Sequence, residues 1–191
     1  MDILELIKED HHEVKGLFKE FDQQERGDTA ERANIAKQIM DMLVAHDEAE
    51  EQTLYGRVRG AAKESEDRSE VEEAFKQHAE ASAEIQRIRT LVSNSDEHMR
   101  EFGKLRRAVE EHIRYEEGKI HPLAQKLLTR EQLGMLGDEF MEAKGLVAAT
   151  KSISGARMTA ARGDEAHDRH LNPMGPTELE GVRGPGITPK G

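Results

Sequence analysis

The sequence contains no cysteine and no tryptophan, and aromatic residues make up only 4% of its 191 residues. The lack of cysteine excludes disulfides, thiolate metal sites, thioether-attached haem and iron–sulfur clusters held by this chain. No stretch approaches the roughly 18 consecutive apolar residues that a membrane span requires. The N-terminus is acidic and helical in pattern, which is unlike a signal peptide. The sequence therefore predicts a soluble, cytoplasmic protein with no membrane partner.

Charged residues, in contrast, are abundant. They make up 35% of the chain, and 39 acidic against 28 basic residues give a net charge of −11. This composition is typical of amphipathic helices and not of a β-sandwich. The excess of acidic over basic residues also argues against nucleic acid as a partner, because phosphate binding needs a basic surface. A chain of this length can form one domain with a sizeable core.

Apolar residues recur at steps of three and four along five segments, which predicts five helices. The segments run over about 2–24, 30–62, 69–92, 99–127 and 129–147. The polar stretch 63–68 reads as a loop. A capping box, Thr129 to Gln132, predicts where the fifth helix begins. Pro122 is expected to kink or locally open the fourth helix near Gly118.

Short connections between the first four helices predict an all-α, up-down-up-down four-helix bundle with an additional C-terminal helix. After about residue 152 the periodicity vanishes, and prolines, glycines and scattered charges take over. Such a composition cannot bury enough apolar surface to fold. We therefore expect a bundle domain over 1–150 and a disordered tail over 151–191.

Four histidines, spaced 35, 32 and 34 residues apart, lie on the apolar stripes of four different predicted helices. They are His11, His46, His78 and His112. Two are followed four residues later by a glutamate on the same stripe, Glu50 and Glu116. Buried imidazoles and carboxylates are costly unless something compensates them, and a metal ion compensates both. The simple alternative is a set of hydrogen-bonded core histidines, which would need four good partners among apolar neighbours.

The spacing also predicts that these side chains meet at one level. In antiparallel helices joined by short loops, each histidine lies a similar distance from the connection, within about a turn. His11 has apolar neighbours on its face, whereas His12 shares a face with Lys8 and Lys15. His11 is therefore the inward residue and His12 a surface residue. Two His-x-x-x-Glu pairs and two single histidines would together hold two metal ions.

These motifs resemble the hemerythrin-like family, in particular the HHE cation-binding domains, over about residues 2–150. The motifs are Glu9-Asp10-His11, His46-x-x-x-Glu50-Glu51 followed by Leu54-Tyr55, Gln77-His78, and His112-x-x-x-Glu116-Glu117 followed by His121-Pro122. The resemblance implies a four-helix bundle with a non-haem di-iron centre. It implies that Glu50 and Glu116 bridge the irons, with a further oxo or hydroxo bridge. His11 and His46 would bind one iron, and His78 and His112 the other.

The sequence departs from the oxygen-carrying branch of that family. That branch has a second histidine in helix 3 and an aspartate five residues after the helix 4 histidine, where this chain has Ser82 and Glu117. A three-histidine iron cannot form from these residues. A vacant position could be filled by water, by Asp47 or by Tyr55, since phenolate is a good ligand for ferric iron. Tyr55 can equally be a tyrosine at the rim with its hydroxyl in solvent.

The resemblance implies a di-iron protein that binds or reductively consumes O2, peroxide or nitric oxide, in sensing or detoxification. Peroxidase-like, catalase-like or nitric-oxide-detoxifying turnover would make it an enzyme. No flavin or nicotinamide motif is present, so an electron donor would be external. Three alternatives stay open: ferroxidase-type iron handling, an iron-responsive regulatory module, and a metal-free helical interaction module. The ferroxidase alternative fits this chain less well, because ferritin-like sites use Glu-x-x-His pairs and more carboxylates.

Overall fold

The computed structural model describes residues 1–24 and 29–147, and every regular element in these ranges is helical. We number five helices. They are α1 (Ile3–Gln23), α2 (Thr29–Glu50, extended by Glu51–Tyr55 and Gly56–Ala61), α3 (Ser65–Thr90), α4 (Asp96–Tyr115, extended by Glu116–Ile120 and His121–Leu127) and α5 (130–147). The predicted all-α bundle with an additional helix is confirmed. The predicted disordered tail, 151–191, lies outside the described residues.

Side-chain caps explain where three of the helices begin. Asp2 and Glu5 form a reciprocal capping box at the start of α1. The Ser95 hydroxyl accepts from the backbone N–H of His98 at the start of α4. The predicted box before α5 is present, because Thr129 N–H donates to Gln132 and Gln132 N–H donates to Thr129. Each cap satisfies backbone donors that the first helical turn leaves without partners.

The predicted loop over 63–68 is wrong for most of its length, because α3 begins at Ser65. Glu66 and Asp67 fall in its first turn, where carboxylates interact favourably with the positive end of the helix dipole. The Arg68 guanidinium donates to the carbonyl of Ala62 at 2.9 Å and closes the connection. Polarity alone indicated a loop, but these charges belong to a solvated helix start.

A π-helical turn interrupts each of the two helices that carry a His-x-x-x-Glu pair. In α4 the turn spans Glu116–Ile120, and His121 N–H donates to the carbonyl of Glu116, five residues back. This is the local opening that Pro122 led us to expect near Gly118. The turn in α2, Glu51–Tyr55, has no proline beside it and was not predicted. π turns within α-helices occur frequently at functional sites.

The interior contains two apolar clusters with a polar layer between them. One cluster surrounds Ile7, Leu54 and Ile120, and the other surrounds Val14, Ile39 and Val109. α1 packs on α2, and α3 packs on α4. Along α1, His11 lies between Ile7 of the first cluster and Val14 of the second. Among the described residues, no helix is both long and apolar enough to cross a membrane.

The fifth helix covers one side of the first apolar cluster. Its buried residues are Leu133, Leu136, Phe140, Ala143 and Val147. Gly137 lies so close to the N-terminus that a Cβ at this position would be 2.6 Å from the carbonyl oxygen of Met1. A glycine is therefore required for α5 to approach the start of α1 this closely.

An ion-pair network of the inaccessible Glu101 side chain with three half-exposed basic residues, in the half of the bundle remote from α5, gives a pH-dependent prediction. The Glu101 side chain contacts Lys104 at 2.7 Å, Arg100 at 3.2 Å and Arg87 at 3.5 Å. The hydrogen bond from Lys104, together with the other two cations, lowers the pKa of Glu101 to about 2. Because this folded-state pKa lies below the unfolded value, the stabilisation is complete above about pH 4.5 and is lost as the pH falls towards 2.

We therefore expect Glu101→Gln to lower the midpoint of urea unfolding at pH 7. The difference in midpoint between the variant and wild type should become steadily smaller as the pH falls from 4.5 to 3. Urea titrations at four pH values would measure this. Glu110→Gln, which removes a more exposed carboxylate paired with Arg106, is the matched control. A difference in midpoint that stays constant down to pH 3 would contradict the lowered pKa assigned to Glu101.

Candidate metal centre

The six predicted ligands meet in the polar layer between the two apolar clusters. All of them are at least nine-tenths buried: His11, His46, Glu50, His78, His112 and Glu116. α1 and α3 contribute one histidine each, and α2 and α4 contribute one His-x-x-x-Glu pair each. His12 is exposed, as expected. The structure therefore brings the predicted side chains to one level, and their role as ligands stays a prediction.

The donor atoms form two groups that share one residue. His11, His46, Glu50 and Glu116 make the first group, and Glu50, His78 and His112 make the second, with all donor atoms in a group within 4.8 Å of one another. Glu50 Oε1 is 3.4 Å from His46 Nε2, and Glu50 Oε2 is 3.4 Å from His78 Nε2. Glu50 thus has one oxygen directed to each group. This arrangement is suited to a carboxylate that bridges two cations.

The second ring nitrogen of each of the four histidines contacts a side-chain oxygen. His11 Nδ1 contacts Glu117 (2.9 Å), His46 Nδ1 contacts Asp10 (2.9 Å), His78 Nδ1 contacts Glu51 (3.2 Å) and His112 Nδ1 contacts Gln77 (3.0 Å). Sequence reasoning missed these four partners. A signal was available, because each one is the immediate chain neighbour of a predicted ligand. Such contacts fix the orientation and tautomer of metal-binding imidazoles.

An imidazole that donates through Nδ1 presents a lone pair at Nε2. His11 Nε2 and His46 Nε2 are buried and make no hydrogen bond within the described residues. His78 Nε2 faces His112 Nε2 at 3.0 Å. Burial lowers the pKa of His112 to about 3, although Glu116 opposes this shift, so this imidazole is neutral. The two facing Nε2 atoms need a proton or a cation between them, because two lone pairs at this distance repel.

The two buried glutamates have opposite pKa shifts. Burial, reinforced by the nearby Glu116 carboxylate, raises the pKa of Glu50 well above its ordinary range. Burial also opposes ionisation of Glu116, but the imidazoles of His11 and His112 hold its pKa well below the usual range. Two carboxylates in one dry site cannot both ionise without a compensating positive charge. Both oxygens of Glu50 and Oε2 of Glu116 have no hydrogen-bond partner among the described residues.

A pair of cations fits these observations. Unpartnered buried donors, four imidazoles turned inward and two carboxylates are the chemistry that divalent transition metals require. Hydrogen-bonded core histidines, the simple alternative, would have partners at both ring nitrogens. Instead His11 and His46 each have a partner at Nδ1 and none at Nε2 within the described residues, and the Nε2 atoms of His78 and His112 face each other. The residues present therefore suit a two-metal site.

Tyr55 is buried at 0% exposure, so its expected alternative position at the rim with a solvated hydroxyl is wrong. The hydroxyl donates to Glu116 Oε1 at 3.1 Å and lies 3.3 Å from His78 Nε2. Burial and the nearby carboxylates raise the pKa of Tyr55 well above 10. Asp47 is also buried, and its Oδ1 lies 3.8 Å from His78 Nε2. Both candidate additional ligands thus lie beside the His78–His112 group.

Two further histidines are buried as well. His98 is 3% exposed and stacks on Phe102, because its first-turn position faces the second apolar cluster. Burial lowers its pKa. His121 is buried, stacks on His11 and lies 4.0 Å from Glu116.

A cavity of about 180 Å³ reaches the centre. All four predicted histidine ligands line it. Its apolar lining includes Val14, Met42, Leu43, Val109 and Ile113. Its polar lining also includes Glu73, Gln77, Glu80 and Glu111. The centre is therefore accessible to a small molecule, while the apolar clusters shield it on the other sides.

These features define the class of protein: a four-helix bundle with a buried, histidine-rich site that suits two cations. The chain matches the hemerythrin HHE cation-binding domain over residues 2–124 and belongs to that family. The fold is similar to that of a hemerythrin HHE cation-binding domain-containing protein from Mycobacterium kansasii. The two share 18% identity and a TM-score of 0.67, over 78% of this chain and 89% of that one.

Among curated proteins, the chain is similar to a DNA nickase from Nostoc sp. (strain PCC 7120 / SAG 25.82 / UTEX 2576). The two sequences are 29% identical over 147 residues. The match covers 77% of this chain but only 40% of the relative. This chain therefore spans about two fifths of the length of that protein.

Removing a histidine from only one of the two groups should separate the two sites. We expect His78→Ala to lose one metal ion and retain the other, because the His11–His46 group keeps all four of its donors. Metal analysis of the purified variant should give about one ion per chain, against two for wild type. His12→Ala, an exposed neighbour of a ligand, is the control and should retain two. Loss of both ions in His78→Ala would show that the groups do not bind independently.

Proposed function

We propose that the two donor groups hold two iron ions with Glu50 and Glu116 as bridging carboxylates. The observation that carries the proposal is the shared residue: one oxygen of Glu50 approaches His46 and the other approaches His78. Imidazole and carboxylate together suit iron, zinc, manganese and copper. Membership of the HHE family and the resemblance of the motifs to hemerythrin favour iron.

We propose further that the protein binds or reductively consumes O2, hydrogen peroxide or nitric oxide. The cavity beside the centre supports this, because its size and its apolar lining residues suit a small, uncharged molecule. Iron held at the centre supplies a redox-active Lewis acid. The protein orients the imidazoles through their Nδ1 contacts, excludes bulk water with the two apolar clusters, and leaves one side open. An external electron donor or protein partner would complete a reductive reaction.

Tyr55 is proposed as an additional ligand of the ion held by His78 and His112. Its hydroxyl lies 3.3 Å from His78 Nε2 and 3.1 Å from Glu116 Oε1, which are separations expected between neighbouring ligands of one metal. We expect the ferric protein to show a visible absorption band from the phenolate, and Tyr55→Phe to lose that band while retaining two irons. Tyr115→Phe, whose hydroxyl donates to the Glu70 carbonyl, is the control. An unchanged spectrum in Tyr55→Phe would leave the hydroxyl as a hydrogen-bond donor only.

The reactivity is tested by adding peroxide or nitric oxide to the purified iron-loaded protein. The expected result is a rapid change in the iron absorption spectrum with either reagent, together with decomposition of peroxide in excess over protein if the protein is an enzyme. Zinc in place of iron, with no redox response, would overturn the proposal. A spectral change that is stoichiometric and reversible would favour sensing over turnover.

An iron-responsive regulatory module is the second candidate, because the fifth helix contacts a candidate ligand directly. Reversible loosening of the bundle on chelation, with no turnover, would favour it. DNA nicking is not carried over from the Nostoc relative. This chain covers only 40% of that protein, and its net charge of −11 opposes phosphate binding. A cytoplasmic location remains part of the proposal.

A further inference from the structure

The candidate ligand His46 is linked by two contacts in series to a lysine of α5. Its Nδ1 lies 2.9 Å from Asp10 Oδ2. The Lys144 ammonium in turn donates to both oxygens of Asp10, at 2.7 Å and 2.6 Å. Asp10 is therefore a carboxylate that accepts from the ligand on one side and from α5 on the other.

This linkage distinguishes Asp10 from the other three Nδ1 partners. Glu117 and Glu51 have side chains that are 36% and 38% exposed, so water screens them. Gln77 is uncharged and donates to Glu73. The Asp10 side chain is only 10% exposed, and its cation comes from outside the four bundle helices. A charge pair in such a dry location is held firmly and is sensitive to loss of either partner.

The same helix contacts His46 a second time. Phe140 packs edge-on against the imidazole, with ring centroids 6.0 Å apart and planes at 89°. The Lys144 ammonium lies 5.5 Å from the centre of the Phe140 ring. Phe140 is itself fully buried in the first apolar cluster. Thus α5 restricts both the tautomer of His46, through Asp10, and the position of its ring, through Phe140.

We propose that Lys144 is a positioning residue for the metal ion held by His11 and His46, and that metal occupancy there is linked to the docking of α5. The proposal rests on the metal site proposed above. A metal at His46 Nε2 draws electron density from the ring and strengthens donation from Nδ1 to Asp10. By thermodynamic reciprocity, docking of α5 must favour metal binding as much as metal binding favours docking.

The test uses full-length protein titrated with Co2+, whose visible absorption reports ligand geometry at each site. Lys144→Met keeps the length of the side chain and removes the charge. We expect the Co2+ affinity of one of the two binding steps to fall about tenfold or more. This is the range typical for loss of a residue that orients a metal ligand. In the His78→Ala background, which retains the His11–His46 site, the single remaining step should weaken by the same factor. Lys144→Arg should restore it.

The matched control is Lys126→Met, which removes a lysine paired with Asp67 at 3.1 Å on the surface of α4. It should leave both steps unchanged. The second readout is chymotrypsin cleavage at Phe140. In wild type, Co2+ should slow this cleavage. In Lys144→Met, the factor by which Co2+ slows the cleavage should fall as much as the Co2+ affinity falls. Thermal unfolding of the metal-free forms identifies any variant that has merely lost its fold.

Two outcomes would overturn the proposal: unchanged Co2+ affinity in Lys144→Met, or equal weakening of both steps with no rescue by arginine. A wild-type chain that binds no metal would overturn this proposal and the metal site together. A wild-type chain that binds two metals but is inert to peroxide and nitric oxide would overturn only the proposed reactivity. In that case the Co2+ titration would still decide the role of Lys144.

Discussion

Glu50→Ala is expected to abolish stable binding of both metal ions, although it removes a single side chain. Glu50 is the only residue that belongs to both donor groups of the described residues, and each of its oxygens approaches a histidine of a different group. Its loss removes one donor from each ion and also the negative charge of one of the two proposed bridging carboxylates. We expect each affinity to fall by more than the ~10–100-fold typical of an orienting partner. Metal analysis after gel filtration would measure the loss.

The matched control is Glu48→Ala, an exposed glutamate on the same helix, which should retain two metal ions. Circular dichroism separates metal loss from unfolding. Helix content should be preserved in Glu50→Ala, because the metal-free wild type must protonate this carboxyl to keep it buried. Retention of one ion per chain by Glu50→Ala would show that Glu50 serves one site alone.

Removing the metal from the wild-type protein should produce the largest change in stability. An ion present at 100 times its dissociation constant contributes about 2.7 kcal/mol to the free energy of unfolding, so two sites contribute about 5 kcal/mol. In a domain of this size each kcal/mol shifts Tm by about 2–4 °C. Chelation should therefore lower Tm by about 10–20 °C. Differential scanning calorimetry with and without chelator would measure the shift.

The physical cause is the set of donor atoms left without hydrogen-bond partners in the dry layer, including Nε2 of His11, Nε2 of His46 and both oxygens of Glu50. Glu50→Ala should show almost no response to the chelator, because it holds no metal to remove. An equal Tm for the metal-loaded and metal-free wild type would mean that the buried donors are satisfied without an ion, and would contradict the account.

Periodicity and spacing predicted the bundle and the meeting point of the six side chains because both depend on regular geometry. A histidine that lies about one turn from an apolar residue on either side, as His11 does from Ile7 and Val14, has to face the interior. Antiparallel packing with short loops then brings the four histidines to one level. Helix α5 was predicted for a similar reason, from a capping box followed by an amphipathic face.

The remaining features depend on tertiary contacts that no local pattern encodes. The π turn over Glu51–Tyr55 lies in a stretch without proline, so nothing in its sequence indicated it. From the sequence, Tyr55 could be either a ligand or a residue at the rim, and the packing of neighbouring helices buries it. The contact of Lys144 with Asp10 joins residues that are 134 positions apart. It depends on how closely α5 approaches α1.

The most direct test of the central claim is an anomalous difference map from crystals of the iron-loaded protein, recorded at the iron absorption edge. Two peaks are expected between the helices, one beside His11 and His46 and the other beside His78 and His112, with a Glu50 oxygen directed to each. A map without peaks in this layer, from protein whose metal analysis shows bound iron, would contradict the account.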